Sequence, residues 1–192
     1  TRDRIDIFMV GEFDDYQVLQ ALHRFPLEGR QVDLQFSYSQ PYVNVVKEKI
    51  EPRQSSQSIL QLGYQFPCQY GDKDYFALIV FNAMFGEFAH SALFTTLREK
   101  EGLAYSISSQ FDIFTGLLEV YAGIEKSNRN QAMRGISREL NYIKLGRFSS
   151  SLLNQTKKII RMNALLSEDH ALTLVEQRFN KVIFGDKSLS LE

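Results

Sequence analysis

The sequence predicts an α+β fold, a largely antiparallel sheet with helices on one face. Three observations predict it. Leu60, Leu62, Tyr64 and Phe66 alternate as a strand does. Two further strand-like runs, Leu103 to Gln110 and Gly116 to Ile124, are joined by FDIFT and read as a hairpin with a longer loop. From Met133 onward, apolar residues recur at helical spacing.

The elements follow in order. The run IDIFMV, Ile5 to Val10, ends at Gly11 and reads as a buried strand. Asp14 and Asp15 then stand where a helix N-terminus favours acids, and Val18, Leu19, Leu22 and Phe25 follow at helical spacing. Pro26 and Gly29 stop that helix. Residues 31–56 are polar, carry Pro41 and Pro52, and predict a linker with one edge strand at Tyr42 to Val46. After the strand at 60–66, Pro67 and Gly71 punctuate the chain. Tyr75, Phe76, Ile79, Val80, Ala83 and Met84 mark a broad-faced helix that Gly86 breaks. Ser91 then caps a second helix with Leu93, Phe94 and Leu97 turned inward. Beyond the hairpin come three helices. The first carries Met133, Ile136, Leu140 and Ile143 and ends at Gly146; the second starts at the serines 149–151; the third ends at Gly185.

Composition bounds the function. Of 192 residues, 44% are hydrophobic and 12% aromatic, enough for a sizeable core. Twenty-two Lys and Arg against 23 Asp and Glu give a net charge of −1, with no basic excess to attract nucleic acid or an acidic membrane surface. No apolar run approaches the roughly 18 residues that span a bilayer. The one cysteine, Cys68, excludes an internal disulfide and fits a reducing, cytoplasmic setting. Thr1 in place of methionine reads as the start of an excised piece, and Leu191-Glu192 reads as a cloning scar.

The usual catalytic signatures are missing from the sequence. His23, His90 and His170 are more than 60 positions apart, and no HxxEH, HExxH or CxxC occurs. His23 reads as a helix-surface residue, His170 as a cap neighbour and His90 as a loop-holding hydrogen bonder. Cys68, after Pro67, reads as an inert thiol. GxSxG and phosphate-cradling glycine loops do not occur either.

Arg98 and Tyr105 remain. Arg98 falls in the last turn of a helix, Tyr105 near the start of the next strand, and EKEGLA turns between them with Gly102 supplying the reversal. Both side chains donate hydrogen bonds at neutral pH, which suits a peptide carbonyl or the oxyanion formed when one is attacked. The plainer alternative is a solvated charge run, Arg98 to Glu101, beside a strand tyrosine with a satisfied hydroxyl.

The segment LFTTLREKEGLAYSISSQFDIFTGLLEVYAGI, positions 93–124, resembles the C-terminal domain motif of the pitrilysin/insulinase family of zinc metallopeptidases, the inverzincins. RIDIFMVGEFDDYQVLQALHRFP resembles the strand and helix that close the family's zinc-bearing first domain. QSILQLGYQFP with DKDYFALIVFNAMFG resembles the opening of its second. The resemblance implies a two-layer α/β sandwich of the mitochondrial-processing-peptidase type. It divides the chain into a closing segment at 1–30, a linker at 31–56 and a C-terminal domain at 57–190. It also implies that Arg98 and Tyr105 bind peptide substrate near the scissile carbonyl, with no catalytic or metal residue in this chain. Zinc is expected only in a preceding domain or a partner. The stretch FGEFAHSALF departs from the family's glycine-rich pattern and resembles a Gram-positive branch without the zinc motif, whose members stand beside a zinc-bearing paralogue. The expected partners are therefore a peptide, the protein's own N-terminal domain or such a paralogue, and a second copy of the chain, with no nucleic acid and no membrane.

Overall fold

The computed structural model describes residues 5–26, 39–40, 42–168 and 170–184. These fall into two compact units, one within 1–37 and 162–192, the other spanning 38–161.

The larger unit holds the sheet. Strands β1 (Ser58–Gln65), β2 (Ala104–Asp112) and β3 (Leu117–Ile124) lie in the order β1-β3-β2, both pairs antiparallel. Pairing sets Leu60 opposite Ala122, Leu62 opposite Val120 and Tyr64 opposite Leu118, so one face of the sheet is apolar. On β2, Ala104, Ile107 and Ser109 are buried on that same face. Phe85, Leu93, Leu97, Ala132 and Ile136 pack onto it from the helical side, all of them fully buried. The other face carries Ile59, Gln61, Gly63, Ser106, Ser108 and Gln110, all exposed. The result is the expected two-layer arrangement.

The hairpin is tighter than FDIFT suggests. β2 continues through Asp112, which pairs with Leu117. Gly116 N donates to Asp112 O at 2.9 Å, and Asp112 Oδ1 accepts from Phe114 N at 2.9 Å.

The helical layer follows the sequence with one correction. Helix α2 (Tyr75–Asn82) does not break at Gly86; the chain continues as a π-helical turn, Ala83–Glu87, and leaves helical geometry at Phe88. The reason is packing: the wider turn carries Gly86 against β2. A second π-helical segment, Phe94–Lys100, follows Ser91. Ser91 caps it as expected, accepting Phe94 N at 3.5 Å on its hydroxyl and Thr95 N at 3.0 Å on its carbonyl. Helix α3 (Arg129–Lys144) buries Ala132, Ile136, Ile143 and Glu139 and is closed at Gly146.

In the smaller unit, Asp14 caps α1 (Asp15–His23), its side chain accepting from Tyr16 N and Gln17 N. Residues 5–10 form no strand, and Ile5 and Ile7 are exposed rather than buried, because no ladder partner exists for them among the described residues. Helix α4 (Ser150–Glu168) starts in the larger unit after Ser149, whose hydroxyl accepts Leu152 N at 3.1 Å; only its end, from Met162, belongs to the smaller unit, as does α5 (Ala171–Phe184). Phe8 packs edge-on to Phe179, ring centroids 6.3 Å apart. The expected end at Gly185 lies outside the described residues, as do the linker residues 31–38.

The predicted edge strand at 42–46 does not form either. Val43 N donates to the Gln65 side chain at 3.0 Å, so a side chain replaces the ladder partner.

Candidate functional site

The junction between the Phe94–Lys100 helix and β2 builds the site. Leu103 N donates back to Leu97 O at 2.8 Å and Glu101 N to Thr96 O at 2.9 Å, which satisfies carbonyls at the helix end. Gly102 completes the reversal at φ +63°, a conformation costly for any residue with a Cβ.

Arg98 projects from the last turn of that helix and is exposed. Its guanidinium carbon lies 4.5 Å over the Phe94 ring, one turn back. Among the described residues it has no carboxylate partner.

Tyr105 sits on an irregularity in the ladder. Ala104 pairs with Ile124, but Ser106 pairs with Gly123, so two steps of β2 face one step of β3. Tyr105 is the extra residue of a β-bulge, which bends the strand and re-aims its side chain. The bulge explains the break in alternation: Ala104 is buried, Tyr105 and Ser106 are both exposed, and Ile107 is buried again. Tyr105 is 51% exposed, so it is not a core residue. Its hydroxyl donates to Glu125 Oε1 at 2.9 Å, and that hydrogen bond pushes the phenol's pKa up.

Both predicted residues are thus exposed, on either side of one three-residue turn, each held by a different neighbour and not by each other. Glu125 was missed by sequence reasoning. It lies 20 positions from Tyr105 and becomes a neighbour only through the register of the hairpin.

The remaining candidates settle into structural places. His90 Nε2 lies 2.9 Å from Thr156 Oγ1, and the ring stacks on Phe88 at 5.6 Å. Burial lowers its pKa. Glu87 accepts a hydrogen bond from Asn82 Nδ2 at 2.9 Å. The Cys68 thiol is buried, and burial beside Asp72 and Asp74 pushes its pKa up, the opposite of an activated nucleophile. His23 and His170 are exposed, at the end of α1 and just before α5. No group of three or more His, Cys, Asp or Glu among the described residues could hold a metal ion. Among the same residues no helix is long and apolar enough to cross a membrane.

A two-layer domain with an arginine and a bulged tyrosine around a REKEGLAY turn is of the metallopeptidase-like class. The sequence profile of the Peptidase M16 inactive domain matches residues 1–160, and the chain belongs to that family. It is similar to the "Probable inactive metalloprotease YmfF" of Bacillus subtilis (strain 168), 38% identical over 176 residues, which cover 91% of this chain and 41% of the relative. The "Uncharacterized zinc protease YmxG" of the same strain is 26% identical over 172 residues, 87% of this chain and 41% of the relative. A crystal structure of a conserved protein from Enterococcus faecalis V583 superposes with a TM-score of 0.85 at 37% identity, covering 93% of this chain and 42% of that one. The chain thus spans about two fifths of the length of these relatives.

Proposed function

We propose that this chain is the peptide-binding, chamber-forming part of an M16 peptidase-like protein, and that Arg98 and Tyr105 hold an extended peptide for it. The observation that carries this reading is the bulge at Tyr105. It leaves an aromatic hydroxyl exposed one turn along the chain from Arg98, a cation that has no carboxylate partner among the described residues. Bulges re-aim side chains in this way beside functional sites. Arg98 supplies a planar fork of donors for carbonyl oxygens, and β2, an edge strand of the sheet among the described residues, offers backbone groups for pairing with an extended chain. Any zinc would belong to a preceding domain or a partner, and the setting would be cytoplasmic, in keeping with the lone buried thiol.

A specific observation favours a second reading, a non-catalytic subunit that pairs with a zinc-bearing paralogue. Within FGEFAHSALF, Glu87 and His90 hydrogen-bond to Asn82 and Thr156. The segment that departs from the family pattern is therefore engaged in packing. That one strain of Bacillus subtilis holds both a relative named as inactive and one named as a zinc protease supports such a pairing.

One experiment separates the two. Metal content, binding of an extended peptide and peptide hydrolysis are measured on the full-length protein, alone and mixed with its paralogue. Peptide binding by the protein alone, weakened by Arg98→Ala, supports the first reading. A metal-free protein that binds no peptide, yet raises cleavage by the paralogue, supports the second. No peptide binding and no effect on the paralogue overturns both.

A further inference from the structure

Tyr105 and Glu125 meet because β2 and β3 form a hairpin, and their geometry is fixed from both sides. Ala104, before the tyrosine, pairs with Ile124, before the glutamate. Glu125 then leaves the strand in extended conformation, φ −73° and ψ 144°, and leads the short 3₁₀ turn Lys126–Asn128. Its carboxylate is held by two hydroxyls: Tyr105 donates to Oε1 at 2.9 Å and Ser127 Oγ donates to Oε2 at 3.3 Å.

A phenol has one proton to donate and lone pairs to accept with. The Tyr105 proton is directed at Glu125 Oε1, 2.9 Å away, and a phenol holds that proton at neutral pH. What Tyr105 then presents to solvent is an acceptor. Arg98 is the reverse case, since a guanidinium offers only donors.

We propose that Glu125 is a positioning residue for Tyr105: it accepts the phenolic hydrogen bond and aims the ring, so that Tyr105 meets an extended peptide as acceptor of a backbone N–H rather than as donor to a carbonyl. The inference rests on the reading of Tyr105 as a peptide contact. It divides the labour at the site. Arg98 takes carbonyl oxygens, Tyr105 takes an amide hydrogen, and the two recognise opposite polarities of a peptide backbone without reading its side chains.

The test is a double-mutant cycle in the full-length protein, read by fluorescence anisotropy of a labelled extended peptide. Glu125→Ala should weaken binding about tenfold when Tyr105 is present and less than about twofold in the Tyr105→Phe background. Glu125→Gln, which keeps an acceptor for the phenol, should restore most of the loss. A backbone ester, which removes one N–H, should weaken binding at one peptide position in the wild type and not in Tyr105→Phe. Equal losses in both backgrounds, or no ester position that distinguishes them, overturns the role of Glu125. Peptide binding that Tyr105→Phe weakens but Glu125→Ala leaves unchanged overturns that role alone. A wild-type protein that binds no peptide overturns the reading of the site and this inference with it.

Discussion

Gly86 lies directly against Ser109. A Cβ on Gly86 would stand 2.6 Å from Ser109 Oγ, 2.8 Å from its Cβ and 2.8 Å from its backbone nitrogen. The π-helical turn therefore touches β2 backbone to backbone, and the buried Ser109 hydroxyl donates to Asn82 Oδ1 at 2.7 Å across the same contact. Gly86→Ala should cost about 1–3 kcal/mol by forcing the turn off the sheet, seen as a lower urea midpoint. Adding Ser109→Gly should not restore it, because the nitrogen of residue 109 still blocks the new methyl. Full rescue by that second change would show that the side chain alone sets the limit.

His90 predicts a dependence on pH. Its ring is partly buried beside Phe88 and its Nε2 lies 2.9 Å from Thr156 Oγ1, in a position that lowers its pKa. A histidine whose folded pKa is depressed favours the neutral form in the native state. Its contribution is present above the ordinary value of about 6.5 and is lost as pH falls below it. Denaturant titrations at pH 7.5 and 5.5 should show a larger loss in the wild type than in His90→Gln, which keeps a hydrogen-bonding side chain but does not titrate. Parallel losses in the two proteins would remove His90 from the account.

What the sequence revealed and concealed divides along physical lines. Strands β1 and β3 and helix α3 were legible because period-2 and period-3.6 patterns of apolar residues report the face each buries. The cap at Ser91 and the stop at Gly146 were legible because orphan backbone groups demand local partners. The π-helical turn was not, since widening a helix at Gly86 answers to Ser109, 23 positions away, rather than to local propensity. The run at 5–10 misled because an apolar stretch signals burial but cannot supply its ladder partner. At the site, the motif marked Arg98 and Tyr105, yet neither the bulge nor Glu125 could be seen before the register of the hairpin was known.

Arg138 joins two carboxylates of unequal burial. Its Nη2 lies 2.6 Å from Glu101 Oε1, at the edge of the REKEGLAY turn, and its Nε lies 3.0 Å from Oε1 of Glu139, which is buried. Removing the arginine strands a buried carboxylate, whereas removing Glu101 loses only a partly solvated pair. Arg138→Ala should therefore cost about 2 kcal/mol and Glu101→Ala less than about 1 kcal/mol. Thermal unfolding of the two variants checks the order. An equal or reversed order would mean that the Glu101 pair to the turn, not the pairing of the buried Glu139, carries most of the arginine's contribution.

Substituting Arg98 or Tyr105 should weaken peptide binding without weakening the fold. Both are exposed, the Arg98 guanidinium lies over the Phe94 ring, and Tyr105 makes a solvent-facing bond to Glu125. Neither Arg98→Ala nor Tyr105→Phe should measurably shift the melting temperature, as is usual for surface changes that leave no buried group unpaired. Each removes one hydrogen bond, part of it charge-assisted for Arg98, to an otherwise solvated peptide. Affinity for an extended peptide should fall about tenfold for Tyr105→Phe and by a similar or larger factor for Arg98→Ala. Arg98→Lys tests geometry against charge: an ammonium keeps the charge but lacks the planar fork, so it should recover only part of the loss. Full recovery by lysine would reduce Arg98 to a point charge, and unchanged affinity in all three variants would leave the junction a packing feature.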